Sequence, residues 1–217
     1  MFNNDGNIAK IKKNRKIFLN FLKLLKTMDT VSAYRGTMTG RKVIVYGLGP
    51  STDYVAVRSD DNIVKIGVND IGARMNVDYL VCVDYPKAFT SERLKYIVGN
   101  PVPMFTHIKE WDGLRVNNIM FGLGMVGGRD IERMMALGKL NYSRTSPFVA
   151  CVLATYMGFE HIGLAGVDLT QHHLKSRLSE IDEHFRQLNE YHKIYNLSQE
   201  SAISSLEKIS VEEFNQL

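Results

Sequence analysis

The chain has 217 residues, of which 45% are hydrophobic and 23% are charged, and this is the balance of a soluble globular protein. No run of 18 apolar residues is present, which argues against a transmembrane helix. Asn20 and Lys23 interrupt the hydrophobic stretch near the N-terminus, so we expect no signal peptide. Cys82 and Cys151 lie within apolar runs, which predicts core packing and fits a reducing cytoplasm.

The net charge of +4 is unevenly distributed along the chain. Residues 1–42 hold ten Lys and Arg against two acidic residues, whereas residues 43–217 hold seventeen against twenty-one. Within the basic part, residues 8–28 carry hydrophobic side chains at helical spacing, which predicts a basic amphipathic helix. This helix either packs on the body of the protein or lies on an anionic membrane or a nucleic acid. Membrane contact would place the protein at the inner face of the membrane.

Residues 29–41 are rich in Thr, Ser and Gly and predict a polar linker between an arm, residues 1–41, and a body, residues 42–217. In the body, apolar runs alternate with helical patterns. The predicted strands are 42–47, 63–68, 79–84, 103–106, 117–121, 161–166 and 192–196. The predicted helices are 52–58, 71–76, 88–98, 129–137, 146–158 and 178–190. This alternation predicts a Rossmann-like α/β fold with a mostly parallel, doubly wound sheet and helices on both faces.

Such sheets bind ligands at the carboxyl ends of their strands, and a glycine-rich segment follows the first predicted strand. Gly47, Gly49 and Ser51 stand in the segment Gly-Leu-Gly-Pro-Ser. It lacks the third glycine of a dinucleotide fingerprint and the Gly-Lys-Ser/Thr of a P-loop. Ser51 suits the start of a helix, where the N–H groups of Gly49 and Ser51 would face a phosphate or a ribose. The alternative is a tight turn that binds no ligand.

The next two strands also end in polar residues. Asn69 and Asp70 follow the second strand, and an Asn side chain offers both a donor and an acceptor to a base or a ribose. Asp84 follows the third strand, where it would hold a sugar hydroxyl or act as a base. The alternatives are an ordinary Asn-Asp turn and, for Asp84, a helix cap.

A second helix start lies about a hundred residues after the first. Arg144, Thr145 and Ser146 precede Pro147 and a helix that is apolar nearly all round. The helix is therefore expected to be buried, with its N-terminus directed at a ligand. Arg144 would clamp a phosphate, and Thr145 and Ser146 would supply hydroxyl and N–H groups.

Asp168 follows the strand 161–166, and His172 and His173 come soon after it. A histidine is a suitable general base near neutral pH, and of two adjacent histidines only one is expected to face the reacting atoms. Asp168 is a further candidate for catalysis. No pair of His or Cys residues has the spacing of a zinc site, so we expect no metal.

In this order, these segments resemble the small bacterial sialyltransferases of glycosyltransferase family 42 and the related domain of flagellin-glycosylation accessory factors. The resemblance covers about residues 42–205. The matching positions are Gly47, Gly49, Pro50 and Ser51 in the elbow, Asn69 and Asp84 at strand ends, Thr145 and Ser146 at the helix start, the segments 157–159 and 162–168, and the last strand with its tail, 194–198. The family implies a nucleotide-sugar donor and chemistry without a metal. The lid of the family is nearly absent here, and His173 or His172 is the nearest equivalent of its catalytic histidine.

The resemblance therefore predicts a glycosyltransferase that takes a sugar from a CMP- or UDP-type donor and needs no cofactor. A glycan or lipid acceptor is preferred to DNA. The alternatives are a viral enzyme that glycosylates DNA and a non-catalytic nucleotide-binding domain of the same fold. Whether the chain forms a homo-oligomer is left open.

Overall fold

The computed structural model describes residues 30–114, 120–122, 124–126, 139–141, 145–170 and 175–217. Ten strands and five α-helices lie in these ranges. The strands are β1 Lys42–Tyr46, β2 Val64–Val68, β3 Tyr79–Val81, β4 Met104–Thr106, β5 Met120–Gly122, β6 Gly124–Val126, β7 Lys139–Asn141, β8 His161–Ala165, β9 Ile194–Asn196 and β10 Glu207–Lys208. The helices are α1 Ser51–Arg58, α2 Ser91–Val98, α3 Ser146–Met157, α4 Leu178–Tyr191 and α5 Val211–Gln216.

Eight strands form one sheet in the order β10-β9-β8-β1-β2-β3-β4-β5, and β6 pairs with β7 separately. Every strand pair of the large sheet is parallel, so its carboxyl ends share one edge. The direction of strand addition reverses at β1, which pairs with β2 on one side and with β8 on the other. This reversal is the topological switch point of an open α/β sheet.

Helices cover both faces of this sheet, as the sequence predicted. On one face, α3 packs on the central strands and α4 packs beside it. On the other face, α1, α2 and α5 contribute Val55, Ile97 and Phe214 to a second core. The strands are apolar on both sides because both sides are buried. The structure thus confirms the doubly wound Rossmann-like fold.

Residues 30–41, predicted as a polar linker, pack against the body. Val31 is buried, and Tyr34 makes edge-to-face contacts with Tyr79 and Phe105. The backbone N–H groups of Gly36 and Met38 donate hydrogen bonds to the carbonyls of the last two residues of α3. The described chain therefore begins at the amino edge of the sheet, opposite the carboxyl ends. The division of the chain at residue 41 stays a prediction.

Most predicted elements agree with the observed ones, but several differ. The predicted helix 71–76 is a single 3₁₀ turn, Ile71–Ala73, and the predicted strand 79–84 ends at Val81. Helix α5 and the strands β6, β7 and β10 were not predicted. The predicted helices 8–28 and 129–137 lie outside the described residues. In the described part of the chain, no helix combines the length and apolar character needed to cross a membrane.

Candidate functional site

The elbow, residues 47–51, packs closely against the residues that follow β8, and only glycine fits at two of its positions. A Cβ added to Gly47 would lie 2.3 Å from the carbonyl oxygen of Gly166, and one added to Gly49 would lie 2.4 Å from Asp168 Oδ2. The N–H of Gly47 donates to the carbonyl of Ala165, and that of Gly49 donates to the carbonyl of Gly166. These N–H groups are thus already engaged within the protein. Donor binding by Gly47 and Gly49 stays a prediction, whereas their packing role is observed.

Asp168 joins the elbow to the end of β8 and to the segment after β9. Its Oδ1 accepts hydrogen bonds from Ser51 Oγ at 2.7 Å and from Ser198 Oγ at 2.5 Å. Its Oδ2 accepts one from the backbone N–H of Ser51 at 3.0 Å. The Ser51 hydroxyl in turn accepts from the N–H of Gly166 at 2.8 Å.

These contacts indicate that Asp168 stabilises the fold. The residue is 5% exposed, and both carboxylate oxygens already accept hydrogen bonds, so little of it is left to take a proton from a substrate. Because the Ser51 N–H donates to Asp168, it is not available to a phosphate. Catalysis by Asp168 and donor binding by Ser51 remain predictions, and the contacts of both residues point to a structural role.

Three other predicted residues meet at the carboxyl edge, although they come from three different elements. Asn69 follows β2, Asp84 follows β3 and Ser146 opens α3. Asn69 Nδ2 lies 3.4 Å from Asp84 Oδ2, and Ser146 Oγ lies 3.4 Å from Asn69 Oδ1. We call these three residues the polar corner. The contacts are long for hydrogen bonds, so a ligand could replace them at little cost.

The backbone of Asn69 adopts a conformation that places its side chain in the corner. Its φ is +52°, in the left-handed region that Asn tolerates better than most residues. Its N–H donates to the carbonyl of Val81 at 3.0 Å, which ties the end of β2 to β3. An asparagine at this position therefore both adopts the backbone conformation of the turn and contributes its side chain to the polar corner.

The N-terminus of α3 completes the polar corner. Ser146 is 6% exposed, and Thr145 before it is buried with an extended backbone. The twelve-residue helix ends at Gly158, whose φ of +85° is the left-handed form typical of a helix C-terminus. Its peptide dipoles place partial positive charge beside Ser146. Arg144, His172 and His173 lie outside the described residues.

Asp70 lies next to the corner but is engaged elsewhere. Arg93 of α2 binds its carboxylate through two hydrogen bonds, of 2.9 Å from Nε and 2.6 Å from an Nη. The hydrogen bond with Asp70 raises the pKa of the Arg93 guanidinium, and Asp84 adds to the effect. Donor binding by Asp70 stays a prediction, and its observed partner is Arg93. The sequence analysis did not single out Arg93, because nothing local marks it among the charged residues of a surface helix.

A second residue that the sequence analysis missed is His107, which directly follows β4. Burial lowers the pKa of its imidazole, while the charge of Asp84 opposes that shift. His107 lines a cavity of about 410 Å³ together with Tyr85, Ile108, Lys109 and Glu110. The signal that could have found it is its place directly after an apolar strand, the same signal that pointed to Asn69 and Asp84.

A second cavity, of about 470 Å³, lies near the amino ends of β3 and β4, with Lys95 and Tyr96 in its lining. It is therefore away from the carboxyl edge, where open α/β sheets bind ligands. Cys82 and Cys151 are fully buried, and burial raises the pKa of the Cys151 thiol, so it packs in the core and is no nucleophile. The described residues contain no cluster of three His, Cys, Asp or Glu side chains that could hold a metal ion.

Comparisons with known proteins find a likeness in structure only. No protein-family model matches the sequence, and no curated protein matches it. The alpha-2,3-sialyltransferase from Campylobacter jejuni in its apo form is 14% identical, with a TM-score of 0.50 over 81% of this chain and 83% of that one. The sialyltransferase CstII from Campylobacter jejuni, in complex with the substrate analogue CMP-3FNeuAc, is 14% identical with a TM-score of 0.49 over 78% and 85%. At 14% identity the likeness to the apo alpha-2,3-sialyltransferase shows the fold alone, which is sialyltransferase-like.

Proposed function

We propose that this protein is a glycosyltransferase that takes a sugar from a nucleotide-sugar donor and binds that donor at the polar corner. The observation that carries the proposal is the meeting of Asn69, Asp84 and Ser146. Each was selected from the sequence as the polar end of a separate element, and the three lie together at the carboxyl edge. This edge is where open α/β sheets bind nucleotides.

Charge decides how a donor would lie in the corner. The start of α3 attracts a phosphate through its free N–H groups and dipole, whereas the carboxylate of Asp84 repels one. The phosphate is therefore placed on the Ser146 side, with Arg144 as its expected clamp. Asp84 would then accept a hydrogen bond from a hydroxyl of the ribose or sugar, and Asn69 would contact the nucleotide between them.

The reaction is displacement at the anomeric carbon. A base removes the proton from an acceptor hydroxyl, the oxygen forms a bond to the anomeric carbon, and the bond from that carbon to the phosphate oxygen breaks. The nucleotide leaves with the electron pair, and the N-terminus of α3 stabilises its added charge. We propose a CMP- or UDP-type donor, a glycan or lipid acceptor, and no metal in the reaction.

A donor screen tests this proposal. The full chain is heated with CMP, UDP, GDP, ADP and their sugar conjugates, with a chelator present throughout. We expect one nucleotide class to raise the melting temperature by several degrees at saturation, since a ligand bound only to the native state stabilises it by mass action. If every nucleotide leaves the melting temperature unchanged, the proposal of a metal-independent nucleotide-sugar enzyme is wrong.

Replacing Ser146 by alanine should weaken binding of that nucleotide about tenfold to a hundredfold, the effect of one lost hydrogen bond to a charged phosphate. Calorimetric titration of both proteins measures the change. Ser91→Ala is the matched control, because Ser91 also opens a helix, α2, but is exposed to solvent and is not one of the residues of the polar corner. Equal weakening in both variants, or none in Ser146→Ala, would contradict the placement of the phosphate.

The acceptor is tested separately through the basic N-terminal region. A membrane-bound acceptor predicts co-sedimentation of the full chain with anionic liposomes, and a DNA acceptor predicts retention on DNA that falls steeply with salt. We expect the liposomes to bind. Retention on DNA without liposome binding would favour the DNA-modifying alternative.

A further inference from the structure

We propose that His107 is the general base of the reaction and that its cavity, lined by Tyr85, His107, Ile108, Lys109 and Glu110, binds the acceptor sugar. This inference rests on the proposed function and assigns a residue and an acceptor site to it. We call this cavity the acceptor cavity. It lies beside the polar corner, because β4 is the neighbour of β3 and Asp84 follows β3.

The backbone around His107 is held firmly, as a catalytic group requires. Thr106 is buried, and its hydroxyl accepts a hydrogen bond from the N–H of Ile108 at 3.1 Å, which fixes the turn that contains His107. The buried Trp111 donates from Nε1 to the carbonyl of Asp84 at 3.1 Å. The segments after β3 and β4 are thus tied together, which keeps His107 and Asp84 near each other.

The acceptor cavity has the size and lining for a sugar. Its volume of about 410 Å³ lies within the range of roughly 300–1,000 Å³ typical of small-molecule sites. Tyr85 is 47% exposed, and its aromatic ring suits contact with the C–H face of a sugar ring. Lys109 and Glu110 supply a donor and an acceptor for its hydroxyl groups.

The surroundings of His107 keep its imidazole able to accept a proton. The charge of Asp84 acts on His107, and Tyr85, Lys109 and Glu110 line the acceptor cavity beside it. Burial lowers the pKa of His107 below its usual 6.5 and outweighs the charge of Asp84. This shift favours the uncharged ring, which is the form that can accept a proton. A ring nitrogen takes the proton of the acceptor hydroxyl as its oxygen bonds to the anomeric carbon and the nucleotide leaves, and the nearby Asp84 carboxylate stabilises the resulting imidazolium.

The test replaces His107 by glutamine and by alanine in the full chain. The donor is the nucleotide sugar selected by the screen, and the readout is release of its nucleotide with water or lactose as acceptor. We expect kcat to fall by about 100-fold or more, the usual contribution of a general base, with nucleotide binding unchanged. Added imidazole should restore part of the turnover to His107→Ala, which a purely structural role would not allow.

The pH profile gives a second readout. The wild-type rate should fall as pH drops through the pKa of His107, below 6.5, because a protonated imidazole accepts no proton. The residual rate of His107→Gln should lack this acidic limb. His161→Gln is the control, since His161 begins β8 at the opposite edge of the sheet. Its loss should change neither the rate nor the decline of the rate at acidic pH.

The outcomes separate this inference from the proposed function. Nucleotide binding with a wild-type rate in His107→Gln would overturn the assignment of His107 and leave the donor site standing. Nucleotide binding without turnover in the wild-type protein would overturn both this assignment and the proposed transferase activity, and would leave only the donor site standing. Failure of every nucleotide to bind would instead overturn the proposed function.

Discussion

Replacing Gly166 by alanine should lower the free energy of unfolding by about 4 kcal/mol, because the new methyl group has no space. Its Cβ would lie 2.0 Å from Thr52 Oγ1 and 2.8 Å from the carbonyl oxygen of Gly47. Thr52 is buried, and its hydroxyl donates to that same carbonyl, so neither atom can move without breaking the elbow. Urea denaturation followed by circular dichroism measures the loss.

Gly40→Ala is the matched control for this prediction. Gly40 has a φ of +74°, close to the +68° of Gly166, but a Cβ added there would meet nothing within 4 Å. The strain of the left-handed backbone alone should cost about 1 kcal/mol. Equal losses in the two variants would show that the crowding between β8 and the elbow is unimportant.

Replacing Asp168 by alanine should lower the free energy of unfolding by about 3 kcal/mol, because it removes the shared acceptor of three donors. The Ser51 N–H and the hydroxyls of Ser51 and Ser198 would lose their partner in a buried site. Asp168→Asn should lower the free energy of unfolding by less, because one oxygen is kept as an acceptor. The protein should still be destabilised, since the NH₂ group of Asn is a donor that faces a donor of Ser51 or Ser198. The same urea titration applies.

Asp53→Asn is the control for the loss of a carboxylate. Asp53 pairs with Arg74 on the surface, and exposed ion pairs contribute little to stability. Its unfolding free energy should stay close to that of the wild type. If Asp168→Ala is as stable as Asp53→Asn but has lost turnover, Asp168 acts in catalysis and the structural role argued above is wrong.

Much of the fold could be predicted because its strands are buried on both faces. The segments that became β1, β2 and β8 are short apolar runs, and the buried helix α3 is apolar nearly all round. Helix α5 was missed although Ser210 and Glu213 form a capping box, a signal that the sequence carries. The region 71–76 has helical spacing, yet its helix ends after one turn, and no local signal marked that end.

The candidate site, like the fold, could be predicted only in part. Asn69 and Asp84 could be selected from the sequence because one rule, that carboxyl ends of parallel strands share an edge, places both at that edge. The packing role of Gly47 and Gly49 could not be predicted, because the atoms that crowd them belong to β8 and the residues after it, more than a hundred residues away. Arg93 was missed for the same reason, since its partner Asp70 lies on another element.

A crystal structure of the protein with the nucleotide selected by the screen is the most direct test of the central claim. The claim is that the donor binds at the polar corner. We predict the phosphate at the N-terminus of α3, within hydrogen-bonding distance of Ser146, and the nucleoside against Asn69. A nucleotide bound elsewhere, for example in the cavity beside Lys95 and Tyr96, would contradict it.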